Sequence, residues 1–331
     1  MDAPVCMIQL LLMYSWHHHH LQISSPFLSP LIYLHNSIRL QCGEQCALKA
    51  GYRHIDCAWC YNNQAEVGGA LAAAFKDKSI NREDLFVTTK LWNTFHRPAL
   101  LRENMDTCLK DLGLPWVDMV QLHYSFAMVP VEDETILVPR HENGDAHLDD
   151  QVTLKQTWKA MEGFVEDGLA KSIGVSNFTK EELAHVMEDA KIMPSVLQVE
   201  MHPYLNNAEL LDWCKEKGIH VTAYAPLGNV NREFSSCLED PVICEIAQKT
   251  GKSPAQVIIR WHLQRGVTVI PKSVTESRIL ANKDVFDFEL SNQDVSAIDK
   301  LGERKIRMCN WKYRPGGGRI YEGETSAYPE K

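Results

Sequence analysis

The chain has 331 residues, 45% of them hydrophobic, and a formal net charge of −9 with acids and bases interspersed. That length suits one barrel-sized catalytic domain of roughly 250 residues plus loops. The acidic balance and the lack of a long basic run argue against nucleic acid as a partner, leaving room only for a local anion pocket. The ten cysteines are scattered, and Cys57 with Cys60 is the only CxxC pair. No second ligand cluster lies at matching spacing, so the pair reads as packing and no metal is expected. Reduced thiols and a cytoplasmic location follow from the same pattern.

Residues 1–41 read differently from the rest. Met7–Tyr14 is apolar but too short to span a bilayer, and Asp2 stands where a signal peptide wants positive charge. His17–His20 reads as a solvated tract with no assigned function, and Leu21–Leu40 shows no convincing strand or helix. The expected organisation is an atypical, poorly ordered segment over 1–41 and a catalytic domain over 42–331.

From Gly43 the pattern becomes regular. Glu44–Ala50 looks like the last turns of a helix capped by Gly51. Seven apolar runs follow: Arg53–Asp56, Leu85–Lys90, Val117–His123, Ser172–Asn177, Val196–Glu200, His220–Tyr224 and Val267–Lys272. Segments of helical periodicity separate them: Gln64–Lys76, Arg97–Leu112, Thr153–Asp167, a helix opening at Thr179 with Glu182 completing a capping box, one between Asn206 and Lys217, then Pro241–Thr250 and Ser253–Gln264. Two more helices are expected near Thr275–Asn282 and Ser291–Leu301. Ser125–Asp150 reads as a long structureless loop of the kind that walls a substrate site, and Trp311–Lys331 as an irregular tail. Strand–helix alternation with polar residues at strand C-termini predicts an α/β fold, a (β/α)8 TIM barrel, of which only seven strands are legible.

The polar strand ends carry a specific chemistry. Asp56, Tyr61, Lys90 and His123 all fall at or just past strand C-termini, so a barrel brings them to one cavity. A free phenol has a pKa near 10, too high for a good acid at neutral pH. A nearby ammonium favours the phenolate, and a carboxylate keeps that ammonium charged and oriented. A histidine beside the phenol orients a carbonyl oxygen between two donors. Together they suit protonation of a developing alkoxide, and therefore carbonyl reduction by hydride. Hydride needs a cofactor, and the first strand lacks a GxGxxG turn. Lys272, Ser273, Val274 and Thr275, leading to a helix with Arg278, offer two cations, two hydroxyls and a helix N-terminus. That set suits a phosphate, or equally an ordinary capped helix with exposed cations; the phosphate reading favours NADPH over NADH.

GYRHIDCAxxY (Gly51–Tyr61), TTKLWN (Thr88–Asn93), IGVSNF (Ile173–Phe178), LQVEMHPY (Leu197–Tyr204), AYAPLG (Ala223–Gly228) and IPKSVTxxRI (Ile270–Ile279), in this order, closely resemble the aldo-keto reductases, and most of all the aldehyde/aldose reductase branch. The resemblance implies Tyr61 as general acid, Lys90 and Asp56 as its tuning pair, and His123 as the carbonyl-orienting residue. It implies that Ser176, Asn177 and Gln198 hold a carboxamide, that Tyr224 stacks on the nicotinamide, and that Leu227 lies along the pyrophosphate. Lys272, Ser273, Val274, Thr275, Arg278 and Asn282 would hold the adenosine phosphate end, with Trp92, Trp59, Cys60 and Trp311 lining a substrate pocket for a small carbonyl compound. A monomer suffices for this chemistry.

Four departures accompany the resemblance. Tyr124 and Ser125 stand where the family usually has Trp-Pro, Gln64 takes a Glu position, and Ala225 replaces a common Ser. The fourth is the largest: nothing in residues 1–41 resembles the usual first strand with its Gly-Thr-Trp segment, so that strand is expected to be missing or replaced, as by an alternative or misjoined exon. A barrel without it leaves unpaired edges, which keeps a non-catalytic NADPH-binding or scaffold relative, or an inactive variant, as the competing reading.

Overall fold

The computed structural model describes residues 46–228, 236–273 and 275–309, with the backbone of two short strands, Met7–Ile8 and Thr325–Ser326. Eight strands form one sheet in chain order: β1 (Met7–Ile8), β2 (His54–Asp56), β3 (Phe86–Leu91), β4 (Val117–Leu122), β5 (Ala170–Ser176), β6 (Val196–Glu200), β7 (His220–Tyr224) and β8 (Thr268–Ile270). From β2 to β8 every neighbouring pair is parallel. Parallel neighbours need crossovers, and helices supply them: α1 (Gln64–Lys76), α2 (Pro98–Leu112), α3 (Leu154–Glu166), α4 (Lys180–Met187), α5 (Ala208–Lys217), α6 (Pro241–Thr250) and α7 (Pro254–Gln264). Helices α8 (Glu276–Lys283) and α9 (Asn292–Leu301) follow the last barrel strand. This is a seven-stranded parallel, nearly closed barrel of the (β/α)8 class. Among the described residues, no helix is long and apolar enough to cross a membrane.

The place of the first strand is filled in an unexpected way. Met7–Ile8 pairs with β2 antiparallel, Met7 opposite Asp56 and Ile8 opposite Ile55. The apolar stretch that contains Met7 therefore occupies the edge that the seven legible runs left open, for two residues and in reverse direction. Leu31–Leu34, the other segment able to pair there, lies outside the described residues, as do His17–His20.

The strands read as near-continuous apolar runs because both faces are covered. All six residues of β4 are buried. Capping boxes start four helices, at Thr153, Thr179, Ser253 and Ser291. At Thr179 the glutamate of the box does double duty: Glu182 accepts from the Thr179 amide at 2.8 Å and from the Ser125 hydroxyl at 2.6 Å. Ser125, one of the departures from the family pattern, thus ties the segment after β4 to the start of α4.

Two expectations are corrected. The Ser125–Asp150 segment is a folded flap and not a structureless loop. It doubles back through bridges Met128–Leu148 and Arg140–Ala146, and a two-pronged Arg97–Asp149 ion pair (2.7 and 3.0 Å) pins its end to the start of α2. The tail is also partly regular, since β9 (Ile306–Arg307) pairs in parallel with β10 (Thr325–Ser326); the remainder of 310–331 lies outside the described residues.

Gly68 shows how tightly the helical layer is set. A Cβ built there would stand 2.4 Å from the Asp111 carbonyl oxygen and 2.8 Å from Leu112 backbone atoms, so α1 meets the end of α2 backbone to backbone. Helix propensity favours Ala over Gly by about 1 kcal/mol, whereas overpacking against unyielding backbone costs about 1–3 kcal/mol. Gly68→Ala is therefore expected to destabilise the protein in denaturant unfolding, and an unchanged or raised midpoint would show that the helices separate freely.

Candidate active site

Asp56 ends β2, Lys90 is the penultimate residue of β3, and His123 follows β4 directly. All three strands run the same way, so the three side chains meet at one end of the barrel. A three-residue turn, Trp59–Tyr61, then carries Tyr61 from the end of β2 back over them. Lys90 and Asp56 are completely buried and in direct ion-pair contact. The Lys90 ammonium also donates to the Cys57 carbonyl at 3.0 Å and stands 5.2 Å from the centre of the Tyr61 ring. The second Asp56 oxygen accepts from the Gln198 amide at 2.8 Å, and that amide reaches Gln121 at 3.3 Å. Burial pushes the Asp56 carboxyl above its ordinary pKa, while the Lys90 charge and the Gln198 hydrogen bond work against that rise.

His123 packs edge-on to Tyr61 (centroids 5.7 Å, 87°) and to Trp92 (5.2 Å, 89°), and lies parallel to Tyr124 at 5.3 Å. Burial first, and the Lys90 charge second, hold its imidazole well below the usual histidine range, so the ring is neutral. A neutral imidazole donates through one nitrogen only. Trp92 is fixed by its own N–H, which donates to Leu137 in the flap at 2.7 Å. Trp59 packs edge-on against Phe95 at 4.8 Å. Trp311 lies outside the described residues.

The next strand ends carry a second polar cluster. Asn177, in the left-handed region at φ 60°, donates to the His123 carbonyl and to the Ser176 hydroxyl, each at 3.1 Å, and accepts from the Tyr224 hydroxyl at 2.8 Å. Ser176, Asn177, Gln198 and Tyr224 thus converge beside the Asp56–Lys90 pair, four side chains brought together from the ends of β5, β6 and β7. Farther round, Lys272, Thr275 and Arg278 are exposed, while Ser273 and Asn282 are buried. The Ser273 hydroxyl accepts from the Thr275 amide at 3.1 Å. The protein packed around Lys272 lowers its ammonium below the ordinary lysine value. Leu227 is half-buried against the core, and Val274 lies outside the described residues. Cationic and hydroxyl side chains on one short segment at the start of α8 form a donor set with the right chemistry for a phosphate.

Sequence reasoning missed two parts of this region. Gln121 joins the Asp56–Gln198 chain, and its signal was available as a polar residue near the C-terminal end of a wholly buried strand. Glu200, the buried last residue of β6, accepts from Arg307 (2.9 Å) and from the Met308 amide (2.6 Å) and pairs with His202 (3.0 Å). Burial alone would raise its carboxyl, but Arg307, His202 and the Met308 amide hold it below the ordinary value. This knot fixes the chain leaving α9 to the same end of the barrel, and no local spacing announces a pair 107 residues apart.

A parallel α/β barrel with a polar cluster at one end is a class shared by many enzymes. Comparison narrows it. Residues 45–303 match the model of the aldo/keto reductase family, and the chain belongs to that family, whose members are oxidoreductases. It is 46% identical over 265 residues to Aldo-keto reductase family 1 member A1-A of Danio rerio, covering 78% of this chain and 81% of that protein. Aldo-keto reductase family 1 member C3 of Homo sapiens is 44% identical over 272 residues, covering 80% and 83%. The structure of the aldose reductase from Schistosoma japonicum superimposes with a TM-score of 0.78 at 39% identity, covering 87% of this chain and 92% of that one.

Four buried histidines and the partly buried His220 give the barrel a defined acid limit. Burial lowers His96 and His220 to about 4 and pushes His54, His123 and His262 well below 6.5. Between the unfolded value near 6.5 and these folded values, the unfolded chain binds more protons, so stability rises with pH across that window. Each group contributes a slope of at most about 1.4 kcal/mol per pH unit. The thermal midpoint is expected to fall steeply from pH 6.5 towards pH 4; a flat midpoint there would contradict neutral burial.

Proposed function

We propose that this protein reduces aldehydes and ketones to alcohols with NADPH, using Tyr61 as general acid. The single observation that carries the reading is the assembly of Tyr61, Lys90, Asp56 and His123 at one end of the barrel, with Lys90 fully buried between the carboxylate and the phenol ring. A buried ammonium is costly unless it is paired, and next to a phenol it favours the phenolate and so makes the phenol a better acid. The carbonyl oxygen would sit between the Tyr61 hydroxyl and a His123 N–H, both donors to the charge that develops there. Tyr61 then delivers its proton to that oxygen, and Lys90 stabilises the phenolate left behind until a proton returns from solvent.

NADPH, when bound, supplies the hydride that joins the carbonyl carbon, so that one hydride and the Tyr61 proton together make the alcohol. Ser176, Asn177 and Gln198 would hold its carboxamide, Tyr224 would stack on the nicotinamide, and Leu227 would line the pyrophosphate. Lys272, Ser273, Val274, Thr275, Arg278 and Asn282 would hold the adenosine phosphate. The flap that clamps Trp92, with Trp59, Cys60 and Trp311, would wall the substrate, consistent with a small-molecule carbonyl, a monomer and a cytoplasmic setting.

Tyr61→Phe tests the reading directly. Loss of one positioned proton donor is expected to lower kcat by roughly 10²–10⁴-fold while NADPH affinity, measured by fluorescence titration, stays within about twofold. Turnover at the parent rate would remove Tyr61 from the chemistry; a parent chain that binds NADPH but reduces no carbonyl would favour the scaffold reading. Lys272→Ala tests the cofactor: NADPH affinity is expected to fall by roughly tenfold or more, about the strength of one charge-assisted contact, with NADH affinity little changed. Equal losses for both would mean that Lys272 does not read the extra phosphate.

A further inference from the structure

We infer that Cys60 is a positioning residue for the proposed reduction: its thiol donates to His123 Nδ1 and so fixes the imidazole as the tautomer that carries its proton on Nε2. This deepens the reading above and rests on it for its catalytic meaning.

The geometry is direct. Cys60 Sγ lies 3.5 Å from His123 Nδ1, both residues are buried, and no other side chain among the described residues bonds either ring nitrogen of His123. The same three-residue turn that presents Tyr61 presents Cys60. One short segment therefore places the acid and touches the far side of the second donor.

Only two arrangements of the contact are chemically available, because both partners are neutral. Burial, the dominant cause, keeps the Cys60 thiol protonated, and it keeps the imidazole uncharged. Either S–H points at Nδ1 and the ring proton sits on Nε2, or Nδ1–H points at sulfur and Nε2 is left as a lone pair. An imidazole nitrogen is a good acceptor, whereas a thiol sulfur is a weak one, so the first arrangement wins. It is also the productive one. A lone pair on Nε2 would face the carbonyl oxygen as one acceptor against another; an N–H there donates to it. The neighbouring rings leave the choice to the thiol: Tyr61 and Trp92 meet His123 edge-on and Tyr124 lies parallel to it, contacts that do not distinguish the two tautomers.

The tautomer is read by nitrogen-15 NMR of histidine side chains in the full-length protein, with His123→Asn used to assign the His123 signals. The expected parent spectrum has the proton on Nε2. Cys60→Ala and the bulkier Cys60→Val, both without a donor, are expected to show a mixture of tautomers. They should also lose roughly fivefold in kcat, the size of one neutral hydrogen bond, with NADPH affinity unchanged. Cys60→Ser, which keeps a donor, is expected to restore the parent tautomer. A parent His123 protonated on Nδ1, or an Nε2 proton that survives unchanged in both donor-free variants, would overturn the proposal. The spectra need no turnover: a parent chain that reduces no carbonyl but switches tautomer on loss of Cys60 would sink the reductase reading and leave the Cys60–His123 bond standing.

Discussion

The Lys90–Asp56 pair is wholly shut off from solvent, both side chains having zero exposure. Taking two charges out of water costs several kcal/mol per ion even after relaxation, and a pair recovers that only when every remaining donor and acceptor is satisfied. The structure meets that condition closely. Cys57 and Asp56 receive the ammonium, and Gln198, itself bonded to Gln121, takes the second carboxylate oxygen. The demand to satisfy one buried charge therefore recruits β2, β3, β4 and β6, and it fixes the strand ends from which Tyr61 and His123 are hung. Well-packed apolar residues of similar volume would often be as stable there or more so, which makes the pair's presence an argument for a role in chemistry and not in stability.

Around that centre the molecule uses ordinary devices to hold irregular segments still. The flap after β4 is tied by Arg97–Asp149 at its end and by Trp92 near its middle. The chain leaving α9 is tied by Glu200, which takes a guanidinium and backbone amides at once. Both knots sit at the end of the barrel where the strand C-termini converge. They use charge-assisted hydrogen bonds, about twice as strong as neutral ones, at the places where backbone would otherwise be free to move.

Much of this was legible in the sequence because the relevant signals are local. Strand–helix alternation gave seven strands and all the crossovers, and the polar residues closing those strands could be read off one at a time; Thr179 with Glu182 announced the start of α4 by spacing alone. What stayed hidden is non-local or depends on competition. The Glu200–Arg307 contact joins residues far apart in sequence. The flap looked structureless because its bridges Met128–Leu148 and Arg140–Ala146 involve isolated residues with no strand periodicity. The edge position of Met7–Ile8 was invisible because two residues carry no period, and a reversed direction breaks the parallel rule that made the other seven readable. Cys60 was read as a pocket wall, since nothing in a sequence reveals which ring nitrogen a thiol meets.

In the proposed reduction, Asp56 and Lys90 act as one unit in positioning and activating the acid. A double-mutant cycle on kcat/KM, with Asp56→Asn, Lys90→Met and the combination, tests this most directly, because it isolates the term the two residues share. Strong non-additivity is predicted: each single change loses about 10²-fold or more, and the double variant is little worse than the weaker single. Losses that multiply, or a Lys90→Met protein with near-parent turnover, would contradict the claim that the buried pair is what the rest of the site is built upon.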